Sequence, residues 1–217
     1  VKKEGADLGI AFDGDGDRVV MVDADGVIRD GDELLYVIAA GRVDLGYEGG
    51  VVGTLMSNLG LEQAIEALGR PFRRAKVGDR YVHEALKREQ WLLGGESSGH
   101  LLCLDRHTTG DGIIAALQVL AEMARRERSL AELLAPLRIL PQTLINVRID
   151  RPLAVDDPVI LEAVAAAEGE LAGRGRVLLR PSGTEPLMRV MVEGDSAAQV
   201  RRVAGDLADV VRGRAAA

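Results

Sequence analysis

Two short apolar runs, residues 8–12 and 19–22, stand on either side of a wholly polar hexapeptide. Beyond them the apolar positions alternate between strand-like runs and a period near 3.6. The two runs predict strands. A helix is expected over residues 32–40, with Asp30 as its cap and Glu33 three positions on, the reciprocal pairing that closes a helix start. Residues 51–56 read as a strand, and Asn58 caps a helix that runs to Leu68 and stops at Gly69, with Pro71 beyond. Residues 72–77 read as the next strand and 80–90 as the next helix. Residues 91–94 and 100–104 flank a tight polar loop, after which Asp111 opens a long helix to about Arg126.

This alternation predicts an α/β layer architecture with a mixed, mostly parallel sheet. The pattern changes after Pro136. A strand over 144–149, an Ala-rich helix over 158–171, strands over 177–180 and 187–192 and a closing helix over 197–212 predict a small α+β domain of order β-α-β-β-α. Pro136 and Pro141 bracket the join. The first hairpin cannot bury both faces alone, so residues 1–28 read as the end of a truncated domain. The expected division is therefore 1–28, 29–140 and 141–217, with a frayed tail at Ala215-Ala216-Ala217.

Composition narrows the class. The 217 residues are 47% hydrophobic, enough for one large core or two modest ones. No apolar stretch approaches a membrane span, and Val1-Lys2-Lys3-Glu4-Gly5 is neither a signal nor a transit peptide. A net charge of −7 argues against a nucleic-acid partner, which demands clustered surplus Lys and Arg. Arg125-Arg126-Glu127-Arg128 reads instead as the solvated, dipole-compensating end of a helix. The single cysteine, Cys103, sits in an apolar run as a buried inert thiol and suits a reducing, cytoplasmic setting.

The polar hexapeptide is Asp13-Gly14-Asp15-Gly16-Asp17-Arg18. Three carboxylates about 5 Å apart repel by roughly 3 kcal/mol per pair at an effective dielectric of 20, a cost that a hard divalent cation removes. An EF-hand would place Gly where Arg18 stands and a bidentate Glu where Ala24 stands, so that motif is excluded. Three protein carboxylates leave room for waters or a phosphate oxygen, which suits Mg²⁺. The bland alternative is a solvated Asp-Gly turn, the reading given to Asp23-Ala24-Asp25-Gly26 nearby.

Gly94-Gly95-Glu96-Ser97-Ser98-Gly99-His100 packs an acid, two hydroxyls and an imidazole into one loop, a set suited to vicinal sugar hydroxyls. It also satisfies G-x-S-x-G. A serine hydrolase needs its triad histidine from a later, separate loop, and no histidine follows His107, which disfavours that reading. Arg180-Pro181-Ser182-Gly183-Thr184-Glu185-Pro186 offers a guanidinium, two hydroxyls and Gly-assisted N–H groups between two strands, either an anion cradle or a plain hairpin turn. Arg73, Arg74, Lys76 and Arg80 form a basic cluster that fits a second positive wall or ordinary exposed charges.

Taken together and in this order, the three loops resemble the α-D-phosphohexomutase family over nearly the whole chain. Residues 52–58, 75–82 and 108–113 resemble its bacterial phosphoglucosamine mutase branch. The resemblance implies a carboxy-terminal fragment: the end of the second of four domains, then the third and fourth. Implied for the whole protein is an interconversion of glucosamine 6-phosphate and glucosamine 1-phosphate through a phosphoserine and a sugar bisphosphate, feeding cell-envelope precursors. Asp13, Asp15 and Asp17 would ligate Mg²⁺ and Arg18 would steady the reacting phosphoryl group. Glu96 and Ser98, with His100 beside them, would hold the sugar, and Arg180, Ser182, Gly183 and Thr184 its non-reacting phosphate. The family's Ser-His-Asn-Pro type loop is not among these 217 residues. Alone, the chain is thus expected to be inactive, its natural partners being the missing amino-terminal domains and a phosphorylated amino sugar. A phosphomannomutase or phosphoglucomutase fragment, or a non-catalytic phosphosugar-binding module, is the alternative.

Overall fold

The computed structural model describes residues 1–149, 156–182 and 185–216. It divides into two compact units, Val1–Arg138 and Ile139–Ala217. In the first unit β1 (Leu8–Phe12), β2 (Val19–Asp23) and the two-residue β3 (Ile28–Arg29) form an antiparallel sheet with β2 in the centre. Then follow α1 (Gly31–Asp44), β4 (Val51–Thr54), α2 (Leu59–Ala67), β5 (Phe72–Ala75), α3 (Asp79–Glu89), β6 (Leu93–Gly95), β7 (Leu101–Cys103), α4 (Gly112–Arg126) and α5 (Leu130–Leu134). The second sheet has the order β5-β4-β6-β7, parallel across the first two pairings and antiparallel at the β6–β7 hairpin.

Local chemistry explains these boundaries. Asp30 accepts from the Asp32 and Glu33 N–H groups while Glu33 returns a bond to the Asp30 N–H, a complete capping box on α1. Asn58 and Asp111 cap α2 and α4 with single side-chain bonds. β4 is buried along its whole length because helices pack on its sheet, so it reads as a continuous apolar run with no alternation. One core gathers α1, α4 and α5 around Leu34, Leu35, Ile38 and Val119, and a smaller one lies under α3 around Val82 and Leu86. Cys103 is buried in the larger core, and that burial, opposed by Arg42 and Arg106 and assisted by Asp105, pushes its thiol up to about 11, an inert state at neutral pH.

The second unit consists of β8 (Gln142–Arg148), α6 (Pro158–Leu171), β9 (Gly175–Pro181), β10 (Leu187–Gly194) and α7 (Ala197–Ala216). Its sheet is antiparallel with β10 between β8 and β9. Val147, Val177, Met188, Val190 and Val192 turn one face towards α6 and α7, so the alternate residues Arg180 and Arg189 stand on the other face. Among the described residues no helix is long and apolar enough to cross a membrane.

Four expectations need correction. The closing helix continues through Ala216, beyond the expected end at Arg212, and Ala217 lies outside the described residues. Asp23 is no solvated turn residue: it is buried, and it binds the Arg29 guanidinium and the Val27 N–H. Arg125 and Arg126 are not simply solvated, since both pair with Glu122 and Asp44. Arg74 is not part of a free basic wall, because Glu62 and the Thr54 and Ser57 carbonyls hold its guanidinium.

Candidate functional site

The loop of residues 13–18 spans β1 and β2, and the start of β2 is bound to the loop of residues 96–100. The Val19 N–H donates to the Gly99 carbonyl at 3.1 Å, and Arg18 bridges to His100. The side chains join too. Asp17 Oδ2 lies 3.1 Å from His100 Nδ1, and since a carboxylate only accepts, Nδ1 carries the proton. His100 is 5% exposed, and its Nε2 edge fits against Gly110, where an added Cβ would stand 2.1 Å away. The start of α4 closes the third side: the Gly112 N–H donates to the Gly16 carbonyl at 3.0 Å. The positive end of that helix thus faces the acidic loop.

The carboxylates behave differently from the expectation of convergence. Among the described residues no three His, Cys, Asp or Glu side chains stand together as a metal-holding group. Asp13 Oδ1 accepts from the Gly16 and Arg18 N–H groups, Asp17 turns to His100, and Asp15 is exposed. Backbone donors and an imidazole compete for the oxygens that were expected to face one point. The set still fits a hard cation in one respect: Asp17 Oδ1 is buried without a hydrogen-bond partner.

The 96–100 loop is a tight turn of the β6–β7 hairpin. The Glu96 N–H donates to the His100 carbonyl and the Gly99 N–H to the Glu96 carbonyl. Glu96 Oε1 accepts the Gly78 N–H at 2.9 Å, which ties this loop to the start of α3. Ser98 is exposed beside it. Gly99 is required here, with φ +93° and a would-be Cβ only 2.1 Å from the Val19 carbonyl oxygen. Gly99→Ala is expected to cost about 3 kcal/mol or more, through left-handed strain and a backbone clash, as the drop in urea stability will read.

In the second unit Arg180 is the penultimate residue of β9, two positions before Ser182, whose N–H donates to the Leu187 carbonyl. Gly183 and Thr184 lie outside the described residues. Sequence reasoning missed Arg189, which pairs directly opposite Arg180 across the sheet. Two like charges in one cross-strand pair are destabilising. Among the described residues the Nε atoms of both are buried without hydrogen-bond partners, and the carboxylate paired with Arg189, that of Glu185, is exposed at 3.7 Å. Burial, and then the Arg189 charge, hold Arg180 below its ordinary range. Two guanidinium groups side by side are chemically suited to an anion. Strand alternation puts both arginines on one face, but only the register shows that they are opposite one another.

Comparison with known proteins places the chain in a family. Residues 30–138 match the family description "Phosphoglucomutase/phosphomannomutase, alpha/beta/alpha domain III", and residues 144–210 match the family's C-terminal domain. The chain belongs to the phosphoglucomutase/phosphomannomutase family. Among curated relatives, the phosphoglucosamine mutase of Alkalilimnicola ehrlichii is 62% identical over 214 residues, 98% of this chain and 48% of that protein. The phosphoglucosamine mutase of Shewanella piezotolerans is 58% identical over 217 residues, again 98% of this chain and 48% of that protein. The crystal structure of Aspergillus fumigatus N-acetylphosphoglucosamine mutase with GlcNAc-6P and magnesium has a TM-score of 0.82 and 25% identity, covering 94% of this chain and 48% of that one. The chain spans about half the length of the curated relatives it matches, as a carboxy-terminal portion.

Proposed function

We propose that the whole protein is a cytoplasmic, Mg²⁺-dependent phosphoglucosamine mutase, and that this chain supplies most of its sugar and phosphate recognition. The observation that carries the reading is the join between the acidic loop and the sugar loop, Asp17 to His100 and Val19 to Gly99. Once the phosphoserine of the missing domains presents the phosphoryl group, its transfer depends chiefly on positioning and charge neutralisation. Asp13, Asp15 and Asp17 would hold Mg²⁺, which when bound offsets the charge of the reacting phosphoryl group. Arg18 steadies that group from the same loop. His100 fixes the direction of Asp17, and Gly78 that of Glu96, whose carboxylate with Ser98 holds sugar hydroxyls. Arg180 and Arg189, with Ser182, Gly183 and Thr184, bind the phosphate that does not react.

Full-length protein carrying this chain is expected to convert glucosamine 6-phosphate to glucosamine 1-phosphate, with kcat/KM lowered on the order of 10²-fold or more by Asp15→Ala or Glu96→Ala. A tenfold preference for glucose or mannose 6-phosphate would replace the amino sugar in this reading. The anion pair has its own test in the chain as it stands. Phosphate should bind with about millimolar affinity, roughly −4 kcal/mol. Either Arg180→Ala or Arg189→Ala should weaken it about tenfold without loss of fold, as amide shifts along β9 and β10 will report. Shifts confined to other residues would sink the assignment.

A further inference from the structure

The first turn of α1 lies between two loops. On one side the Gly31 N–H donates to the Ser97 carbonyl at 3.0 Å, and there is no room for a side chain: a Cβ on Gly31 would stand 2.1 Å from the Glu96 carbonyl oxygen and 2.6 Å from the Gly99 nitrogen. On the other side the next residue, Asp32, accepts the Asn58 N–H on Oδ2 at 2.7 Å. Asn58 is the cap of α2, at the end of a loop that Arg74 grips through the Thr54 and Ser57 carbonyls. Asp32 is 2% exposed, and its Oδ1 is buried without a hydrogen-bond partner. A bare oxygen on a buried carboxylate costs stability that a neutral side chain accepting the same bond would not.

We propose that Asp32 is a positioning residue for the sugar loop: it locks the turn on which residues 96–99 rest to the cap of α2, and the lock tightens or slackens with the proton on its carboxyl. When charged, the carboxylate makes a strong charge-assisted bond to the Asn58 N–H but leaves Oδ1 bare; when neutral, that bond weakens and the buried charge is gone. The opposing effects are close enough in size to bring the exchange into the neutral range. Burial raises the carboxyl, the Asn58 N–H lowers it, Asp30 on the same turn raises it, and Ser57 and Arg74 lower it, the result being about 7. The other charges around this turn are already paired: Glu33 with Arg29, and Arg74 with Glu62. The sugar loop faces Gly31 with backbone groups.

The test is an amide NMR titration of the 217-residue chain from pH 5.5 to 8.5, and it holds whether or not the ligand is an amino sugar. The Asn58 amide proton is expected to move downfield as pH rises through about 7, with the amides of residues 97–99 following at the same midpoint. In Asp32→Asn both movements should vanish, which separates them from any titration of His100. Asp30→Asn keeps the helix cap and should lower the midpoint, so the proposal stays testable if Asp32→Asn folds poorly. Amides 97–99 that stay still while Asn58 titrates, or that titrate unchanged in Asp32→Asn, overturn it. So does a midpoint unmoved in Asp30→Asn.

Discussion

Given Mg²⁺, glucosamine 6-phosphate and a sugar bisphosphate, the purified 217-residue chain is expected to form no product above the level of its own Asp15→Ala variant. The reaction in the proposed reading needs a covalent phosphoryl carrier, and the Ser-His-Asn-Pro type loop that would supply it does not occur in this sequence. Positioning and charge neutralisation act on a group that must first be in place, so their presence in the chain does not rescue the step. Loss of the nucleophile from a concerted set of groups costs on the order of 10⁴-fold or more, which puts the chain at background. A phosphorus NMR assay over hours checks this. Turnover that disappears in Asp15→Ala would mean that the carrier lies within these residues, and Ser97 and Ser98 would then be the first replaced.

Much of the fold was legible because its signals are local. The Asp30 and Glu33 capping box, the Asn58 and Asp111 caps and Pro158 at the start of α6 are set by side chains within a few residues of the backbone they satisfy. α5 went unread although Ser129 and Glu132 carry the same capping-box signal, because five residues show too little period to register. β3 is two residues long and exists only as a partner of β2.

The site divides the same way. The loops at 13–18, 96–100 and 180–182 are visible as clusters of chemistry within a short run. What joins or completes them is not local. His100 reaches Asp17 across 83 positions, and Gly78 reaches Glu96 across 18. Asp23 looked like turn chemistry until Arg29 was found folded back on it through the β2–β3 pairing. Arg189 gains its meaning from a strand register, and Asp32 from a cap 26 residues further on. Residue type predicts what a side chain can do; the topology decides what it meets.

Asp32 also carries the largest expected effect on stability. Its carboxyl stands at about 7 in the folded chain and near 3.8 when unfolded, so between those values the folded state holds a proton that the unfolded state has lost. Its contribution to stability is therefore fully present below 3.8 and falls as pH rises towards 7. Roughly three pH units correspond to about 4 kcal/mol. Asp32→Asn keeps an oxygen for the Asn58 N–H and cannot ionise, so the variant should gain on the wild type as pH rises from 4.5 to 8. Other carboxylates titrate in both proteins and cancel in the difference. Trp91, the only tryptophan, packs against the core under α3 and reports on the unit that holds Asp32. Urea melts followed by its fluorescence at pH 4.5, 6 and 8 should give a difference between the two proteins that widens by several kcal/mol. A difference that stays constant across this range would place the Asp32 carboxylate in the ordinary range, and with it would go the reason for a proton-operated lock beneath the sugar loop.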